Sequence, residues 1–194
     1  MKKYFLITIV LNSFISCDLF TTRDAEIPDQ SRSNFQPPVE PAVVIDNLKN
    51  SLSDKNIENY IACFVDTIFS QRTFNFSASS EAVSLYQIFL QGWGLNEEKR
   101  YLSGAINKVP KDFPITLILS NENYSSLSGD SSIYTATYVL SLPVLSGDPT
   151  PTNYAGNLQF NMVRDSRSEY VIYFWKDTKS QTLPSWSELK GSFY

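Results

Sequence analysis

Apolar residues recur every three or four positions up to about Pro110, and every two positions after Pro114. That change of period divides the chain into a helical first half and a stranded second half. Pro41 opens a first helix with Ala42, Val43, Val44, Ile45, Leu48 and Leu52 as its apolar set. Ser53 or Asp54 caps a second helix carrying Ile57, Tyr60, Ile61, Phe64 and Val65, and the two form an αα-hairpin. Arg72 to Ser77 alternates Phe74 and Phe76 with polar neighbours and predicts a short strand. Ser79 to Gln91 predicts a third helix with a broad apolar face of Val83, Tyr86, Ile88, Phe89 and Leu90. Gly92-Trp93-Gly94 breaks it, and Asn96 caps a fourth helix over Glu97 to Ile106.

After Pro114 the faces separate cleanly. Ile115, Leu117 and Leu119 alternate with Thr116, Ile118 and Ser120; Tyr134, Ala136, Tyr138, Leu140 and Leu142 share one face of the next run. Leu158, Phe160 and Met162 alternate with asparagine and glutamine. Tyr170 to Trp175 is apolar on both faces, which predicts a strand covered on both sides. Ser128-Gly129-Asp130 and Arg164 to Arg167 read as hairpin turns. A short helix, Ser185 to Lys190, follows, with Trp186 and Leu189 on one side. It is expected to fold back onto the domain and bury Trp186. Helices first and a bent antiparallel sheet afterwards is an α+β pattern.

The region before Pro41 has a different character. Lys2 and Lys3 precede a short apolar run, Phe5 to Val10, extended by Leu11, Phe14 and Ile15. This is too short to span a bilayer and has the layout of a secretory signal peptide. The ending Ile15-Ser16-Cys17 resembles the bacterial lipoprotein box, with Phe14 where that pattern usually has leucine. The resemblance implies cleavage after Ser16 and a diacylglyceryl-modified Cys17 as the new N-terminus, anchored by more than one acyl chain. The expected organisation is a signal peptide over 1–16, a lipid-anchored tether over 17–40 and one domain over 41–194. The proline-rich, weakly apolar Asp18 to Pro41 suits a tether; within it, Asn34 to Pro41 can dock through Phe35.

Charge and composition narrow the functions. Loss of Lys2 and Lys3 with the leader takes 16 basic residues to 14 against 20 acidic, so the formal charge moves from −4 to −6. An acidic chain argues against nucleic acid as a partner. It also leaves membrane attachment to the acyl chains at Cys17. The chain has no histidine, which removes the commonest general base and transition-metal ligand. Cys63 has no partner once Cys17 is acylated, and its apolar surroundings make it a buried core residue. No metal-ligand cluster, phosphate-cradling loop or nucleophile elbow is present, so no metal and no cofactor are expected. The run Glu97 to Arg100 reads as a solvated helix face.

The order of elements, the helix pair 42–65, the strand 72–77 and the ending YVIYFWKD…SWSELKG together resemble the nuclear transport factor 2-like (NTF2-like, SnoaL-like) superfamily. The resemblance implies an α+β cone, with N-terminal helices packed against a strongly curved antiparallel sheet. It also implies that catalytic members carry an acid–base residue inside the cone. Without histidine the available groups are Asp66, Asp112, Glu122 and tyrosines, and no spacing pairs two carboxylates on one strand face. No catalytic residue is assigned. Tyr86, Tyr134 and Tyr138 are candidate pocket-lining residues, against the plainer reading that they fill the core. The functional expectation is an envelope lipoprotein, periplasmic or surface-facing, acting as a non-enzymatic binding or assembly module with an envelope protein partner. The alternative is a small-molecule enzyme or carrier using the hollow of the cone.

Overall fold

The computed structural model describes residues 34–180 and 182–193. The readings of Met1 to Cys17 and of the tether up to Ser33 lie outside them. Helix α1 (Pro41–Ser53) starts on a proline, whose fixed φ suits the first helical position, and buries Val44, Ile45, Leu48 and Leu52. Asn47 lies on the same buried stripe. Its amide clasps the backbone of Gln36 in both directions, at 2.9 and 2.6 Å, which ties residues 34–40 to the helix. Helix α2 (Ile57–Ala62) is capped by Asn56, whose side chain accepts from the Asn59 N–H at 3.0 Å. It is shorter than the expected run to Val65. Cys63 to Val65 instead lie along the sheet, where the Val65 N–H donates to Ile172 O and the Ile172 N–H to Cys63 O.

Strand β1 (Asn75–Ser77) pairs parallel with β5 (Tyr170–Lys179), setting Phe76 opposite Trp175. Strands β2 (Thr116–Ser128), β3 (Ser131–Ser141) and β4 (Asn153–Arg164) continue the sheet as an antiparallel meander, giving the order β1-β5-β4-β3-β2. The sheet is therefore mixed, with the parallel β1–β5 pair at its edge. Irregular register between Ser120 and Asn123, and again at Asn161–Met162, adds local twist. The inner face carries Tyr134, Ala136, Tyr138, Leu140, Leu158, Phe160, Met162 and Trp175, all buried, in the alternation the sequence predicts.

Helix α4 (Leu95–Lys108) starts after Gly94, not at Asn96, and the Glu97 carboxylate accepts from the Gly94 N–H at 3.1 Å. Helix α3 (Ser80–Leu90) departs further from expectation. Ala82 and Leu90 are buried and Tyr86 is half-buried, but Val83, Leu85, Ile88 and Phe89 are exposed. Its backbone breaks at Tyr86 (φ −131°, ψ 30°), and its inward stripe is the narrow row Ala82, Tyr86 and Leu90, spaced by four, rather than the broad expected face. Helix α5 (Trp186–Ser192) folds back as expected, with Trp186 and Leu189 buried. Among the described residues, no helix is long and apolar enough to cross a membrane.

Candidate functional site

The inside of the cone holds two charged groups that its apolar pattern does not announce. Glu98, in the first turn of α4, and Lys190, near the end of α5, are both 0 % exposed. They meet directly: the Lys190 ammonium donates to Glu98 Oε1. That oxygen also accepts from Trp93 Nε1 at 2.8 Å, and Oε2 accepts from the Tyr60 hydroxyl at 2.9 Å. Tyr60 and Tyr101 share a hydrogen bond at 3.1 Å, and Trp186 Nε1 donates to the Tyr101 hydroxyl at 2.9 Å. Three helices, α2, α4 and α5, thus converge on one carboxylate–ammonium pair. A buried charge is tolerable only when paired and hydrogen-bonded in this way.

The ammonium is also enclosed by rings. Lys190 Nζ lies 3.5 Å from the Trp175 ring centroid and 3.8 Å from that of Phe76. Tyr101 and Trp93 complete the enclosure at 5.2 and 5.6 Å. Ring faces carry negative potential and attract a cation at these distances. Burial is still the larger influence on the amine. It brings the Lys190 pKa down from 10.5 to about 8, with Glu98 and then Asp177 opposing the shift.

A second polar cluster holds the other end of α5. Asp177, on β5, accepts from the Tyr138 hydroxyl at 2.7 Å, from the Ser187 N–H at 2.8 Å and from the Ser187 hydroxyl. Tyr138 in turn accepts from the Trp186 N–H at 2.7 Å. Ser79 bonds both Ser185 and Ser187 at 3.0 Å, linking the start of α3 to the start of α5. Burial raises the pKa of Asp177, and the hydrogen bonds from Ser187 and Tyr138 hold it back. Two glycines make these approaches feasible. A Cβ on Gly156 would come within 2.7 Å of the Tyr138 hydroxyl, and one on Gly191 within 2.4 Å of the Tyr86 ring.

The three tyrosines singled out from the sequence separate here. Tyr138 and Tyr86 both meet α5, the first at Trp186 and the second at Gly191. Tyr134 belongs elsewhere, donating to Glu122 Oε2 at 2.7 Å and packing beside Tyr124 and Phe160. Asp66 accepts from the Ile68 N–H in an exposed turn, and Asp112 is exposed. Cys63 is a free, buried thiol whose pKa burial pushes up. Among the described residues, no group of three or more histidine, cysteine or acidic side chains could hold a metal ion. Surface clefts of 300 to 520 Å³ lie away from the Glu98–Lys190 pair. One, of about 350 Å³, is formed on the sheet by Thr135, Thr137, Asn157, Gln159, Lys176 and Thr178.

The sequence reading missed both members of the pair, yet each had a positional signal. Glu98 stands three, four and seven residues before Tyr101, Leu102 and Ala105, the buried stripe of α4. Lys190 stands four after Trp186, on the buried side of α5. Their charge, read ahead of their position, placed them outside.

No protein-family profile matches the sequence, and no curated protein is significantly similar to it. Solved structures do resemble the chain. A Novosphingobium aromaticivorans protein named for scytalone dehydratase matches over 71 % of this chain and 80 % of its own, with 12 % identity and a TM-score of 0.52. A Streptomyces avermitilis protein named as a dehydratase of the NTF2-like family covers 73 % and 94 %, with 11 % identity and a TM-score of 0.52. A Xanthomonas campestris protein named for the association domain of calcium/calmodulin-dependent protein kinase II covers 85 % and 99 %, with 10 % identity and a TM-score of 0.53. At this identity the likeness is one of fold: the described domain has the α+β cone fold of these structures.

Proposed function

We propose that this chain is a membrane-anchored lipoprotein of the bacterial envelope whose cone serves as a non-enzymatic binding or assembly module. One observation carries the choice of a binding module over an enzyme. The inside of the cone is filled by the chain's own Trp186 and Lys190, both fully buried. The acidic groups there are committed as well. Glu98 is held by Lys190, Trp93 and Tyr60, and Asp177 by Tyr138 and Ser187. Fold likeness to proteins named as dehydratases transfers no activity by itself, because function resides in the site.

The anchoring half of the proposal rests on Met1 to Cys17, and its test is direct. Cys17→Ala should abolish fatty-acid labelling and move the protein from the membrane fraction to the soluble fraction. Unchanged labelling and unchanged membrane retention would refute it.

A further inference from the structure

We propose that the outward face of α3 docks on the surface of the bilayer to which the chain is tethered. The inference rests on the lipid-anchored reading of Cys17 and adds which face of the domain turns toward the membrane. Isolated apolar residues on a surface are ordinary. Here Leu85 and Ile88 are both exposed, and Val83 and Phe89 are exposed beside them on the same short helix. Leu183 adds an exposed leucine two residues before Ser185, which Ser79 bonds at the start of α3. No charged residue occurs from Ala82 to Asn96. The other long helices differ: α1 exposes Asp46 and Lys49, and α4 exposes Lys99 and Arg100. A surface helix ordinarily turns such charges to water.

The bilayer fits this face for three reasons. The first is desolvation. The exposed polar residues among the apolar ones, Ser84, Gln87 and Gln91, carry no charge to strip of water. The second is reach. Sixteen residues separate Cys17 from Asn34, a stretch that spans up to about 55 Å when extended, whereas a compact domain of this size is about 40 Å across. The anchor therefore keeps the domain near the membrane and leaves every face able to touch it. The third is strength. A patch of four or five side chains is too small to hold a free protein on a membrane, but a tether supplies the effective concentration that makes weak contact count. The acidic balance of the chain sets the lipid: docking relies on apolar contact, not on attraction to anionic headgroups.

The test uses the full-length lipidated protein in phosphatidylcholine vesicles, with a nitroxide on Gln87→Cys. That position is exposed beside Ile88, and Cys63 is buried and does not compete for the label. A second sample carries the label on Lys99→Cys, on the outward face of α4. Oxygen, which concentrates in lipid, should relax the label at position 87 more than a water-soluble nickel chelate does, and the order should reverse at position 99. Adding Leu85→Ser and Ile88→Ser should return position 87 to the pattern of position 99, and high salt should change neither. Free access of the nickel chelate to position 87 in lipidated protein would overturn docking and leave the anchor standing. Shielding of position 87 from both reagents would mean that protein covers the face, and would overturn the choice of the bilayer. An unchanged pattern in the double-serine variant would also overturn it. Protein without fatty acid on Cys17 would remove the anchor and the docking together.

Discussion

Helices α3 and α5 lie against each other and solve opposite problems. Helix α3 turns apolar side chains outward, with Leu85 67 % and Ile88 84 % exposed, while α5 turns a lysine fully inward. By hydropathy alone each assignment is reversed. The difference shows that what a position faces depends on the partners available there, not on the side chain alone. Lys190 is admitted because Glu98 and four aromatic rings already stand where its ammonium arrives. Ile88 stays outside because the inward row of α3 is Ala82, Tyr86 and Leu90, and Ile88 lies off that row.

The largest effect should come from the inward lysine. Lys190→Met keeps the length of the side chain and removes its charge, leaving Glu98 buried without its cation. Breaking a buried pair from one side typically costs about 3–5 kcal/mol, and the midpoint of chemical unfolding should fall accordingly. Adding Glu98→Gln to that variant should recover most of the loss, because removing both charges is often neutral or better. A double variant as unstable as the single one would mean that Lys190 matters through its shape and not its charge.

The next effect is a pH slope. The folded protein releases the Lys190 proton near pH 8, whereas the unfolded chain keeps it to about pH 10.5. Within that window the unfolded state binds more protons, so this group raises the free energy of unfolding as pH rises. Wild type should therefore gain stability over Lys190→Met between pH 8 and 10.5. A constant gap across the window would contradict the burial of the amine.

The smallest effect belongs to the outward face. Ile88→Ser replaces a residue that makes little contact with the core and should shift stability by no more than about 0.5 kcal/mol in denaturant unfolding. A loss several times larger would mean that α3 packs inward in solution, and the contrast with α5 would disappear.

The legible and illegible parts of the sequence divide along the same line. The strands β2 to β4 could be read from their period of two, because Tyr134, Ala136, Tyr138 and Leu140 alternate without interruption and each face has one environment. Trp186 could be placed in the core because β5, being apolar on both faces, needed a cover and α5 was at hand. The parallel pairing of β1 could not be read. A three-residue strand carries almost no register information, and its partner lies nearly a hundred residues away. The end of α2 was misread because Phe64 and Val65 keep helical spacing while their backbone is recruited by Ile172 on the sheet. Glu98 and Lys190 were missed for a related reason. A periodic pattern locates the buried stripe, but a charge within that stripe is explained only by a distant partner. Here the two are 92 positions apart.

The central claim, that a charged lysine closes the cone from within, is tested most directly by following the lysine side-chain NMR signals against pH. Lys190 should be identified by loss of its signal in Lys190→Met. Its ε-methylene protons should be shifted upfield by the surrounding rings, and it should titrate near pH 8 while exposed lysines titrate near 10.4. A Lys190 signal at the ordinary chemical shift, titrating together with the other lysines, would contradict the account.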